Sequence, residues 1–241
     1  MSDGSRLPYS WWIGVRYLRL GRDDRFIGVI SAISMAGIAV GVAVLLVVLS
    51  VMNGFERELR ERILDVTAHA TLEGLEGRLD EWRDYAAQTG AVPGVLAVAP
   101  FVEGRGMLVN GQRSAGVELR GVSPAQESRV SSLGGLVSGG SLGDLEPGAY
   151  RIILGRALAE ELDASPGDRL LLVVAQGNVT PAGVVPRMRR FTVAGVFDAG
   201  MYEFDRGLAL VNLADGQKLF RLGDAVTGLR YALEDPYAAP A

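Results

Sequence analysis

The residues able to do covalent or acid–base chemistry are few. His69 is the only histidine, Lys218 the only lysine, and cysteine is absent. One imidazole without a thiol cannot form a thiol–imidazole pair, and a zinc site of His and Cys cannot be assembled. His69 stands among Thr67, Ala68 and Ala70 in a predicted strand, which reads as a structural histidine. No nucleophile elbow surrounds a serine and no GxxxxGK[ST] phosphate loop occurs, so the chain itself is expected not to hydrolyse ATP. Glu160 and Glu161 read as a solvated helix face, Asp144 and Glu146 as turn residues. Neither a metal nor a cofactor is expected. The formal net charge of -4 and the lack of a basic block argue against a nucleic-acid partner.

Binding chemistry is what remains, and it concentrates between Asp168 and Phe197. Two strand-like runs, RLLLVVAQ and RRFTVAGVF, flank GNVTPAGVVPRM, a connection longer than a tight hairpin loop. Its prolines, Pro181 and Pro186, fix φ and lower the entropy lost when a loop binds something. The tip shows Val179, Ala182, Val184 and Val185, and Arg187, Arg189 and Arg190 follow on the return. An apolar tip beside basic residues fits a docking finger. A loop folded back on its own domain fits the same residues.

The elements that would position this segment begin with a membrane anchor. From Phe26 to Phe55 no residue is charged. About 20 helical residues cross a hydrocarbon core of about 30 Å, so 26–55 is expected to span it. A cleaved signal peptide would carry a shorter apolar region ending in a cleavage site, whereas this run exits into a charged helix. Arg6, Arg16, Arg19, Arg22 and Arg25 precede the run and ERELRER follows it, which places the N-terminus in the cytoplasm and everything past about residue 56 outside. Trp11 and Trp12, beside Arg16 and Arg19, read as a short interfacial helix within a leader at 1–25. A disordered leader is the alternative. Gly37 and Gly41 form a GxxxG, with Gly28, Ala32 and Ala36 continuing small residues at four-residue spacing, which hints at further membrane helices packed against this one. Glu56 with Arg60, Arg57 with Glu61 and Glu58 with Arg62 are spaced to carry the helix on as a stalk over 56–66.

Beyond it, 67–241 reads as an α+β domain of modest strands and a few short helices. Thr67 to Glu73 alternates like a strand. Leu79 to Gln88 is helical, with Leu79, Trp82 and Ala86 on one face and Gly90 closing it. Val95 to Pro100 is a short strand, and Asn110-Gly111 marks a hairpin between alternating runs. Gly155 to Asp163 is a short helix, Asn212 caps another that runs through Arg221, and Thr227 to Leu233 alternates again.

Four stretches carry a family resemblance: SVMNGFERELRERIL at Ser50 to Leu64, RGVSPAQE at Arg120 to Glu127, TPAGVVPR at Thr180 to Arg187 and FDAGMYEFD at Phe197 to Asp205. In this order they resemble the inner-membrane permease subunits of the lipoprotein-releasing ABC transporter, the LolC/LolE kind, with a MacB-like periplasmic core. The TPAG loop looks more like the LolC-type subunit or a merged form serving both roles. The resemblance implies a non-catalytic subunit that works with a separate ABC ATPase subunit and a second permease subunit, identical or homologous. Such permeases extract acylated lipoproteins from membrane lipid and pass them to a periplasmic lipoprotein chaperone. It implies a chaperone-binding hairpin at Val179, Thr180, Pro181, Ala182, Gly183, Val184, Val185 and Pro186, supported by Arg189, and a lipoprotein cavity near Val48, Met52 and Phe55. The family carries three further spans after this domain, so the chain is expected to be its N-terminal portion. Two other readings stay open: a mechanotransmission permease like the MacB efflux pump or the FtsX regulator, and a membrane-anchored binding or scaffold protein.

Overall fold

The computed structural model describes residues 25–66, 68–180 and 183–235, so the leader before Arg25, Thr67, the Pro181-Ala182 pair and the last six residues lie outside the description. The chain divides into two compact units at Arg60.

The described part of the first unit is helical. Helix α1 runs without a break over Arg25–Val66, and its Gly28–Glu58 stretch has a mean hydropathy of 2.7. It is long and apolar enough to cross a membrane, at about 1.5 Å per residue. Its lipid-compatible residues, among them Ile33, Ile38, Leu45, Val48, Met52 and Phe55, are exposed.

In the second unit, nine strands join one sheet: β1 (Ala70–Glu73), β2 (Val95–Asn110), β3 (Arg113–Val122), β4 (Val137–Ser138), β5 (Arg151–Gly155), β6 (Arg169–Thr180), β7 (Gly183–Phe197), β8 (Leu208–Asn212) and β9 (Gly228–Leu233). The helices are α2 (Trp82–Gly90), α3 (Pro124–Val130), α4 (Arg156–Leu162), α5 (Tyr202–Gly207) and α6 (Leu213–Phe220). This is an α+β architecture. The sheet order is β1-β9-β2-β3-β8-β5-β7-β4, with β6 pairing both β2 and β7. That double pairing closes β2, β3, β8, β5, β7 and β6 into a ring. All six strands send alternate apolar residues into one core, including Leu108, Val117, Ile152, Leu172, Phe191 and Ala209, and α4 adds Leu158 and Leu162.

Strand β2 is far longer than the Val95–Pro100 segment expected from its pattern. Gly104 and Gly106 interrupt the alternation there, yet both are needed for close approach. A Cβ on Gly104 would fall 2.2 Å from the Phe220 ring, and one on Gly106 3.0 Å from the Val173 carbonyl oxygen. The expected β2–β3 hairpin is present, shifted by one residue: Asn110 pairs with Arg113, and Gly111 takes the positive φ. Asn110 instead donates from Nδ2 to the carbonyls of Leu162 and Asp163 at 3.1 Å each, satisfying the end of α4. Helix α4 ends where Asp163 turns left-handed. Asn212 caps α6 by accepting from the Ala214 N–H at 2.9 Å.

Helix α2 begins at Trp82, later than its pattern implied, because Leu79 makes a bridge with Val226 instead of a helical turn. Trp82 packs with Val102, Val226, Leu229 and Tyr231, and its Nε1 donates to the Asp224 carbonyl at 2.9 Å. His69 is half-buried and its Nδ1 accepts the Leu233 N–H at 2.9 Å, a structural use of the ring. Glu127 of α3 is fully buried against Arg230 of β9, an ion pair inside the fold. Burial pulls the Arg230 guanidinium below its ordinary range, and Glu127 opposes that shift. Removing one partner would strand the other charge in the interior. Glu127→Ala is therefore expected to lower the unfolding free energy by about 3–5 kcal/mol in denaturant titrations of the detergent-solubilised chain.

Candidate functional site

The segment expected to be a long loop is mostly paired strand. Val174 pairs with Arg187, then the register shifts, and Asn178 pairs with Val185, Val179 with Val184 and Thr180 with Gly183. Residues 175–177 thus face Pro186 alone, two more residues than the opposite strand supplies. Proline has no N–H to give a ladder, and the irregularity falls where that donor is missing. Bulges bend a strand and sharpen its twist, so the far half of the hairpin is re-aimed relative to the near half.

Neighbours decide how far this hairpin stands out. β6 pairs with β2 only over Leu171–Val174, and β7 pairs with β5 only from Thr192 onward. From residue 175 through 186 the two strands have only each other as sheet neighbours among the described residues. The overhang from Arg187 to Gly183 is about 13 Å at about 3.3 Å per residue. Of the nine residues assigned to the hairpin contact, Val179, Thr180, Gly183, Val184 and Val185 form, together with Asn178, its last three ladder pairs. Pro181 and Ala182 lie outside the described residues, and Pro186 and Arg189 are exposed.

Arg189 is held by a feature not anticipated from the sequence. Its guanidinium lies 4.5 Å above the centre of the Tyr150 ring, a cation–π contact. Tyr150 in turn meets Phe191 edge-on, with ring centres 5.7 Å apart. The Tyr150 backbone is left-handed at φ 50°, an unfavourable state for an aromatic residue. Fully buried Asp215 holds it there, accepting from the Gly148 N–H at 2.9 Å and the Tyr150 N–H at 3.2 Å. In sequence, Asp215 is an ordinary first-turn helix acid and Tyr150 a lone aromatic after Pro147-Gly148, so neither carried a signal. Arg187 donates from Nη1 to the Leu219 carbonyl at 2.7 Å. Burial and then repulsion from Arg221 push its guanidinium down from the ordinary range.

The other expected residues belong to α1. At about 100° per residue, Val48, Met52 and Phe55 share one face, and Gly37 and Gly41 fall on that same face. Gly28, Ala32 and Ala36 do not continue that stripe, since their positions turn to the opposite side of the helix. The four-residue spacing was real, but two separate sets share it. Among the described residues, no group of three or more His, Cys, Asp or Glu could hold a metal ion.

The family model of the MacB-like periplasmic core domain matches residues 31–241. The chain belongs to that family. Within it, the similarity is to lipoprotein-releasing permeases of the LolC/LolE family, in agreement with the motifs at Ser50 to Leu64 and beyond. It is 44% identical to the lipoprotein-releasing system transmembrane protein LolC of Neisseria meningitidis serogroup B over 230 residues, which cover 95% of this chain and 55% of that protein. It is 43% identical to LolC of Xylella fastidiosa strain Temecula1, with the same coverage, and 33% identical to LolE of Haemophilus influenzae over 95% of this chain and 56% of that one. The chain spans about half the length of these relatives. Among solved structures, the extracellular domain of the ABC-type transporter YknZ aligns with a TM-score of 0.46 at 16% identity, covering 66% of this chain and 75% of that one.

Removing the carboxylate that fixes the Tyr150 turn leaves two backbone N–H groups without their acceptor. Asp215→Ala is expected to cost about 2–3 kcal/mol of stability and to open the 147–150 turn to limited proteolysis, with Asp215→Asn intermediate.

Proposed function

We propose that this chain belongs to a permease subunit of an ABC transporter that passes lipoproteins from the inner membrane to a periplasmic chaperone. The 44% identity to a LolC protein and the four motifs support that class of activity. In this reading α1 spans the membrane with its basic N-terminal flank in the cytoplasm, and the domain from β1 onward works in the periplasm. ATP is hydrolysed by a separate ATPase subunit, and a second permease subunit, identical or homologous, completes the pore.

The overhanging β6–β7 hairpin is the observation that carries the proposal. A paired strand tip needs little further ordering to dock, so most of its contact free energy is kept for the chaperone. By residue type alone, Val179, Val184 and Val185 offer apolar area and Pro181 and Pro186 limit φ, while Arg189 supports the contact from the return strand. On α1, the face that is small at Gly37 and Gly41 becomes bulky at Val48, Met52 and Phe55. A close helix approach at one end and a cavity for acyl chains at the other suit that gradient.

A photo-crosslinking residue at Val184, in cells carrying the complete transporter, is expected to trap the periplasmic lipoprotein chaperone. Crosslinks only within the domain would favour the folded-back reading and contradict the proposal. Val184→Asp places a charge at the apolar tip and is expected to weaken chaperone binding about tenfold or more in pull-down titrations.

A further inference from the structure

Strand β1 closes one end of the sheet and has β9 as its only strand neighbour among the described residues. The Gly74 N–H donates to the Thr227 carbonyl at 2.9 Å, in register with the pairs that join β1 to β9. Alternation along the ladder then turns the N–H and C=O groups of Thr71 and Glu73 outward, with no strand to meet. Exposed edges are commonly blunted by proline or lysine, and Ala70–Glu73 holds neither. Two recesses open between this strand and α2. One, of ≈ 440 Å³, is lined by Leu72, Leu75, Leu79 and Tyr85, and the other, of ≈ 420 Å³, by Ala70, Leu72, Thr89, Val92, Tyr231 and Leu233. Leu72 borders both, and Tyr85 and Thr89 stand about one helical turn apart on α2, so the recesses lie in line along β1. In the second, the Thr89 and Tyr231 hydroxyls bond each other at 3.1 Å, which leaves an apolar occupant no polar group to satisfy there. At the first, Leu75 is 92% exposed, presented by a turn whose next residue, Glu76, is left-handed at φ 58°. The rim is acidic. Glu73 and Glu81 line one recess and Glu234 the other, and none of the three is in an ion pair among the described residues.

We propose that the groove between β1 and α2 takes an extended segment of the transported lipoprotein's own polypeptide, added to the free edge of β1 as a further strand. The inference rests on the permease reading and gives the outer domain a direct contact with the substrate. Side chains of an added strand return to one face every two residues, about 6.8 Å, so two apolar ones fall on either side of Leu72, one in each recess. Main-chain bonds to Thr71 and Glu73 are indifferent to sequence, and the acidic rim favours uncharged or basic segments. Position names the occupant. β1 is the first strand after α1 and begins four residues beyond Val66, within about 14 Å at about 3.5 Å per residue. An acylated protein held beside α1 leads its polypeptide outward past that point. A second copy of this chain fits less well, because the two acidic rims would face each other.

A photo-crosslinking residue at Tyr85, in cells carrying the complete transporter and an acylated lipoprotein, tests this. It is expected to trap the lipoprotein near its acylated end, about tenfold or more above the same probe at Glu160 on the exposed face of α4. Thr71→Pro removes one outward N–H, leaves the ladder to β9 intact and is expected to cut the Tyr85 crosslink about fivefold. Thr71→Val keeps that N–H and should crosslink like the parent. Leu75→Asp changes a side chain outside the core and should cut the yield about threefold. Parent-level trapping with Thr71→Pro, or with Leu75→Asp where Thr71→Pro does not accumulate, would overturn the groove. Crosslinks from Tyr85 confined to a second permease subunit would overturn it as well. A probe at Met52 of α1 separates this inference from the reading beneath it. Lipoprotein trapped at Met52 but not at Tyr85 removes the groove and leaves the permease reading standing, and lipoprotein trapped at neither removes both.

Discussion

The structure of the domain depends on four residue pairs, Gly106–Val174 through Val109–Leu171, that join β6 to β2. Without them β2, β3, β8, β5, β7 and β6 would form an open sheet with its apolar face uncovered. With them the strands close on themselves, and Leu108, Leu170, Leu172, Val174 and Phe191 are all removed from water. Gly106 permits the closure, because β6 passes where a side chain would otherwise stand. The same closure sets the limit of the ring at Val174. Strand residues beyond that point have no neighbour to pair with except across the hairpin.

An overhanging hairpin is a liability on general grounds, since two strands alone are marginal in water. Here two things anchor its base. It grows out of strands already locked in the ring, and Arg187 ties it to the Leu219 carbonyl of α6. The buried carboxylate of Asp215 acts one step further back, holding Tyr150 in a strained turn beneath Arg189. These are the features of a surface prepared for contact before its partner arrives.

What could be read from residues alone depended on how loudly each element speaks. Helix α1 was legible because thirty residues without a charge have few stable environments. The structural histidine, helix α4 and the Asn212 cap of α6 were legible from local chemistry. The length of β2 was not, because Gly104 and Gly106 break its alternation for the sake of Phe220 and Val173, which are distant in sequence. β5 and β8, RIILG and LALVN, are nearly all apolar and short, so they carry no period to distinguish strand from helix. The long connection between β6 and β7 read as a loop because its glycines and prolines are turn-formers, whereas cross-strand pairing keeps most of it extended. The support of Arg189 by Tyr150 and Asp215 could not be seen, since the three come from separate segments.

The central claim is that the ring holds out a hairpin whose outer half is free until a chaperone takes it. Hydrogen exchange on the full chain in detergent, with and without the chaperone, reads this amide by amide. Amides at 171–174 and 192–196 should be protected in both states, while those at 176–180 and 183–185 should exchange faster than these in the free chain and slow markedly on addition of the chaperone. Tip amides as protected as the ring in the free chain, or unchanged by the chaperone, would contradict it.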